Sequence, residues 1–232
     1  MRIHKSLLLA AALILPAAPA LAETASRVVG SDSFNFAVPT QFCVLSDSNP
    51  RDLQFINVVR RLLQGANNKL ILVMVDCQRL KTYRAGDNGN IVRYAIYYTP
   101  DPYESGTLQG DNQALRKELC QDMRKQGDAT LSGVKEIVAE AAKDLKANIA
   151  VNSTKYIGVI DEDSHGCYAA LLIGVRGSDG KNLLMSSIVT STVIHSKPLF
   201  FAMYNQYAGP ETTQEDVARS KVVAANFDQA NP

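Results

Sequence analysis

Along this 232-residue chain the spacing of apolar positions alternates first, turns helical in the middle, and alternates again towards the end. FNFAV, residues 34–38, puts aromatic and small side chains on alternate positions ahead of Pro39, the period-two pattern of a short strand. A helix start follows. Asn49 can accept from free amides, Pro50 suits the first helical position, and Phe55, Ile56, Val59, Leu62 and Leu63 recur at helical spacing before Gly65. LILVMV, 70–75, is apolar on both alternating sides, which predicts a strand covered on both faces. Asp76 then caps a short helix through Leu80 and Tyr83, ended by Gly86, and IVRYAIYY, 91–98, is the next strand.

The middle of the chain reads as two helices. From Asp111 to Gln126 a narrow stripe holds Leu115, Leu119 and Met123, with Cys120 at its edge and Gly127 as the break. From Thr130 to about Lys146, Leu131, Val134, Val138, Ala141 and Leu145 share one face, with Lys135, Glu136, Glu140, Lys143 and Asp144 largely opposite. From Lys155 the period returns to two. KYIGVI, CYAALLIGV, NLLMSSIVTSTVI and LFFAMYNQY are separated by DEDSHG, RGSDGK and HSKP, the signature of an antiparallel meander. LFFAMYNQY, 199–207, also fits a short helix through Leu199, Phe200, Met203 and Tyr207; we read it as a strand. In TTQEDVARSKVVAANF, Thr212 and Glu215 form a capping-box pattern ahead of Val222, Val223 and Phe227, which predicts a final helix. Ala169 with Leu171 and Ala170 with Leu172 make both sides of one strand apolar. The expected fold is therefore α+β, an antiparallel sheet covered by helices on both faces (an α/β/α sandwich), with a C-terminal β-meander and a final helix.

The first 22 residues read as a signal peptide: Arg2 and Lys5 precede the apolar run SLLLAAALILPAAPALA, which ends in small residues at a cleavage site after Ala22. That run is shorter than the roughly 20 residues of a membrane span and holds Pro16 and Pro19, and nothing later approaches a span. Residues 23–32 read as a flexible lead-in and 33–230 as a single domain. Losing Arg2 and Lys5 takes the formal charge from +1 to −1, a balance that argues against nucleic acid as a partner. The basic pairs Arg60-Arg61 and Arg116-Lys117 accordingly read as solvated helix faces.

Cys43, Cys77, Cys120 and Cys167 all survive cleavage and would reach an oxidising compartment, where two disulfides are expected. Spacing does not choose among the three connectivities. The expected pairing is Cys43 with Cys77 and Cys120 with Cys167, each tying a helix or loop to a strand in its own half of the chain. Each bond would close a loop of about 35 to 50 residues and contribute roughly 3 to 4 kcal/mol. Zinc fits poorly, because no Cys-x-x-Cys pair is present and His165 and His195 are the only histidines after cleavage.

DEDSHG, 161–166, is the densest chemistry in the chain. As a hairpin tip its polarity needs no reaction, since Asp and Ser bond local amides and Gly166 allows a tight backbone. A helix-loop-helix calcium site matches at Asp161, Asp163 and Gly166 but fails where His165 takes position five and Leu172 replaces the required glutamate at position twelve. A non-helical divalent site would use Asp161, Asp163 and His165. GDNGN, 86–90, and RGSDGK lack phosphate-binding spacing, so no cofactor is expected. His195 reads as a surface histidine, and Tyr94, Tyr97, Tyr98, Tyr204 and Tyr207 as core or sheet-edge residues in preference to a ligand groove.

FNFAVPTQF, a helix and buried strand, and a late antiparallel meander closing in a helix together resemble the layout of PsbP-like proteins. The resemblance implies an exported α/β/α module that binds and stabilises other proteins. QFCVLSDSNP and LVMVDC depart from the plant pattern by carrying cysteines, and no functional residue is transferred. The expectation is a periplasmic or secreted, non-catalytic binding or envelope-accessory protein whose partner is an unidentified protein or small ligand. The rival is a metal-dependent or hydrolytic enzyme built on residues 161–165. An enzyme needs His165 or His195 to meet acids or hydroxyls from distant segments, whereas a binding module needs an exposed apolar or aromatic patch.

Overall fold

The computed structural model describes residues 23–130, 133–144, 150–177 and 179–232; the signal peptide expected at 1–22 and the helix-face positions Leu131 and Leu145 lie outside them. The fold is mixed α+β, built on a seven-stranded sheet and ending in a helix. Strands β1 (Thr24–Val29) and β2 (Asp32–Ala37) form a hairpin of their own. The lead-in expected at 23–32 is thus mostly strand. TASRVV carries no apolar alternation because β1 stays largely exposed and pairs only with β2.

The sheet runs β3-β4-β5-β9-β8-β7-β6, antiparallel throughout. Its members are β3 (Phe42–Val44), β4 (Asn68–Asp76), β5 (Tyr94–Pro100), β6 (Ala150–Glu162), β7 (Cys167–Arg176), β8 (Asn182–Ile194) and β9 (Lys197–Gln206). The last four form the expected meander, and LFFAMYNQY is a strand because Leu199, Phe201 and Met203 bury one alternating side.

The helices are α1 (Pro50–Gly65), α2 (Cys77–Arg84), α3 (Pro102–Ser105), α4 (Asn112–Thr130), α5 (Val134–Asp144) and α6 (Pro210–Gln229). Three begin where capping chemistry predicts. Asn49 accepts from the amides of Arg51 and Asp52, Asp76 from Gln78 and Arg79, and Asp111 from Gln113 and Ala114. Two expectations are corrected. α4 continues through Gly127 to Thr130, and α6 starts at Pro210 after Gly209. Thr212 is therefore inside the first turn, where its hydroxyl accepts from the Ala208 amide at 3.2 Å.

Alternate residues of β4 feed two separate cores. Leu72 and Met74 join Phe34, Phe36 and Phe227, whereas Val73 and Val75 join Ile56, Val59 and Leu80. The disulfides are Cys43–Cys77, from β3 to the start of α2, and Cys120–Cys167, from α4 to β7, as expected. Lys197 is 1% exposed, and its ammonium donates to the carbonyls of Glu104 at 3.2 Å and Gly106 at 3.0 Å. Its cation satisfies carbonyls that α3 leaves unpaired. Gly30, at φ +64°, brings the hairpin so close to Glu104 that a Cβ would stand 2.2 Å from its carbonyl oxygen.

Candidate functional site

Residues 163–166 form the tip joining β6 to β7, closed by the Asp163 amide donating to the Gly166 carbonyl at 3.0 Å. Asp163 Oδ1 accepts from the amides of His165 at 2.9 Å and Gly166 at 3.1 Å. It also receives the Tyr168 hydroxyl at 3.0 Å. Burial and the Asp163 charge push that phenol's pKa up. Gly166 is needed here for clearance, since a Cβ would lie 2.9 Å from the Ser191 carbonyl.

The hairpin tip is not a free solvated loop. Lys221 of α6 pairs with Asp161 at 2.7 Å, and this hydrogen bond holds the Asp161 carboxyl below its ordinary range. His165 Nδ1 lies 3.0 Å from Asp228 Oδ2, and Asp228 Oδ1 accepts from Arg116 Nη2 at 2.6 Å. Arg116 also donates to the carbonyls of Val193 and Ser164. Its side chain is only 13% exposed, which corrects the reading of a solvated face for Arg116, whereas Lys117 beside it is exposed. A guanidinium has five donors in a fixed fork, enough to bind α4, β8, the tip and α6 together. Gln113, Arg116, Lys117, Glu162, Asp163 and Ser164 surround a cleft of about 340 Å³ beside this clamp.

The three residues considered for a divalent ion are held by protein partners: Asp161 by Lys221, Asp163 by Tyr168, the turn amides and, at 3.9 Å, the same Lys221, and His165 by Asp228. Among the described residues, no group of three or more His, Cys, Asp or Glu side chains could hold a metal ion. The His165 ring meets one distant acid, as an enzyme would require, but among the described residues no hydroxyl or thiol is hydrogen-bonded to it. Both cysteines of the neighbouring bond are oxidised. His195 is exposed, with Nε2 at 3.1 Å from the Pro232 carbonyl oxygen and its ring 5.5 Å from that of Phe34, apart from the clamp.

A second surface was not foreseen. Between β6, β7 and the first half of α6 runs an apolar groove of about 470 Å³, lined by Ile157, Ile160, Leu171, Leu172, Tyr207 and Val217. Ile157 is 47% and Ile160 41% exposed. Register shifts at Tyr156/Gly158 and Val159/Asp161 insert these two isoleucines as extra residues in β6. Simple alternation in KYIGVI cannot reveal such insertions. Comparison with known protein families and with curated proteins finds no match to this chain.

Proposed function

We propose that this chain is an exported, non-catalytic binding or envelope-accessory protein, periplasmic or secreted, that engages a partner through the groove between β6, β7 and α6. The groove is the observation that carries the reading. Single exposed apolar residues are ordinary on a protein surface, but Ile157 and Ile160 share one concavity with Leu172 and Val217. Export is supported by the signal-like residues 1–22 and by two disulfides, which suit an oxidising compartment. The two cores flanking β4 support a layered α/β/α arrangement, which in turn agrees with the PsbP-like layout and its accessory role. Among the described residues no helix is long and apolar enough to cross a membrane.

The test is a photo-crosslinking amino acid placed at Ile160 in the producing cell, with Val28, 68% exposed on β1, as the control position. One discrete adduct at Ile160 and none at Val28 is expected. Equal smears at both, or no adduct at either, overturn the reading. A hydrolytic role draws support from one contact, Asp228 against His165. Ester hydrolysis that disappears in His165→Gln would establish it instead.

A further inference from the structure

α6 carries two stripes of side chains. The first, Asp216, Ser220, Val223, Ala224 and Phe227, is buried beneath it. The second, Pro210, Gln214 and Val217 at i, i+4 and i+7, lines the apolar groove and stands roughly 100° around the helix from the first. A helix turns a side stripe of this kind to a neighbour packed beside it. The floor of the groove comes from Ala170 and Leu172 of β7, with Ile157 and Ile160 of β6 at the outer side. α6 packs chiefly on β8 and β9, and no residue of α4 or α5 lines the groove. Two strand spacings, roughly 9.5 Å, separate β8 from β6, and packed helices lie about 8–10 Å apart. A helix set beside α6 at that distance therefore rests on β7 and β6. The vacant strip is one helix wide.

Length and charge narrow the occupant further. Lys221, on the same side stripe as Val217, reaches Asp161 at 2.7 Å and closes the groove at the hairpin tip. From Lys221 back to Pro210 the helix spans roughly 16 Å, three turns. The other end is open, where Leu184 is 41% exposed and its carbonyl accepts from the Tyr207 amide at 2.8 Å. None of the residues lining the groove is charged. Its outer margin is cationic: Lys155 stands directly opposite Leu172, and Arg176 lies four residues further along β7. Cross-strand partners share a face, and so do alternate residues of a strand, so both cations stand on the side of the sheet that Leu172 faces. Both are exposed, and neither has an ion-pair partner among the described residues.

We propose that the groove seats one amphipathic helix of a partner protein, lying alongside α6 on β7 and β6 with about three turns in contact. Apolar side chains at i, i+4 and i+7 of that helix fill the space between Ile160, Leu172 and Val217, and carboxylates on its outer flank meet Lys155 and Arg176. The proposal rests on the groove as the partner-binding surface and adds the chemistry of the partner.

Two fluorescein-labelled peptide helices of about 18 residues test it by fluorescence anisotropy with the mature, disulfide-bonded protein. Both carry the same stripe of leucine and alanine; one has glutamates on its flanks and its twin has lysines. Saturable binding of one glutamate peptide per chain is expected, with the twin at least tenfold weaker. Lys155→Glu combined with Arg176→Glu should reverse that order, which a loosened fold cannot do. Ile160→Asp should weaken the glutamate peptide at least tenfold, and Val28→Asp, at a position 68% exposed on β1, should leave it unchanged. No saturable binding, equal affinity for the twins, full affinity in Ile160→Asp, or equal loss in Val28→Asp overturns the proposal. So does self-association of the protein alone that Ile160→Asp abolishes, which assigns the groove to a second copy. If crosslinking at Ile160 still yields its discrete adduct, a failure with the peptides removes the helix and keeps the groove as the binding surface; failure of both removes the groove as well.

Discussion

At one end of the sheet β3 presents three residues, and the Cys43–Cys77 bond fixes it to the start of α2; at the other end β6 runs for 13 residues and is interrupted by three register shifts. A free edge invites pairing with another chain, and it can be blunted either by brevity or by bulges. The β3 end uses the first and the β6 end the second. Only the second leaves apolar side chains displaced into a groove, so a proposed binding surface arises where the edge is long and irregular. The polar clamps differ likewise. Near β3, Arg84 grips Asp52, 32 residues away, whereas beside the β6–β7 tip Arg116 grips Asp228, 112 residues away. One end is closed locally; the other joins segments from most of the chain.

The largest expected effect comes from the disulfides. Cys120→Ser opens a link spanning 47 residues and leaves Cys167, 1% exposed, without its partner; Cys43→Ser opens one spanning 34. Losses of about 4 and about 3.5 kcal/mol are expected in denaturant melts, in that order. A reversed order would break the contrast between the two ends. Iodoacetamide labelling of all four thiols in native, unreduced protein would remove its basis.

Arg116→Met should cost about 3 kcal/mol, because Asp228 and the carbonyls of Val193 and Ser164 lose their common donor. Hydrogen exchange at His165 and Gly166 should accelerate as well. Arg84→Met should leave those tip amides unchanged, and if it speeds them equally the two ends are not independent.

Acid separates two buried carboxylates. Asp52 is pushed up by burial but held net below its ordinary value by Arg84 and the Ser46 amide, so its contribution is present above pH 3.8 and is lost as pH falls through the lowered folded value. Asp216 has no cation in contact. Ser186 and Asn205 donate to it, yet burial dominates and raises its pKa. Its contribution is full below pH 3.8 and is lost as pH rises through the raised folded value. Asp216→Asn should therefore equal or exceed the wild type at pH 7, by about 1 kcal/mol, and the gap should close on acidification. A loss at pH 7 would contradict this. The smallest effect is Asp161→Asn, which removes an exposed pair with Lys221 and should cost under about 0.5 kcal/mol in a thermal melt.

Much of the fold was legible because its signals are local. Asn49-Pro50, Asp76 and Asp111 start helices through neighbouring amides, and the meander declares itself through period two and its turns. The tip was legible as a turn for the same reason. Arg116 was not, because its partners lie 48, 77 and 112 residues away and nothing beside it in sequence marks them. The groove was hidden by the bulges that displace Ile157 and Ile160.

Asn231 donates to the Asn35 carbonyl at 3.0 Å and accepts from the Asn35 amide at 2.8 Å, across 196 residues. The β1–β2 hairpin is thus made well before the residue that docks it, which lies 196 residues further along the chain. Native closure of this contact must then wait for the intervening segments, a long-range step that loop-closure entropy makes slow.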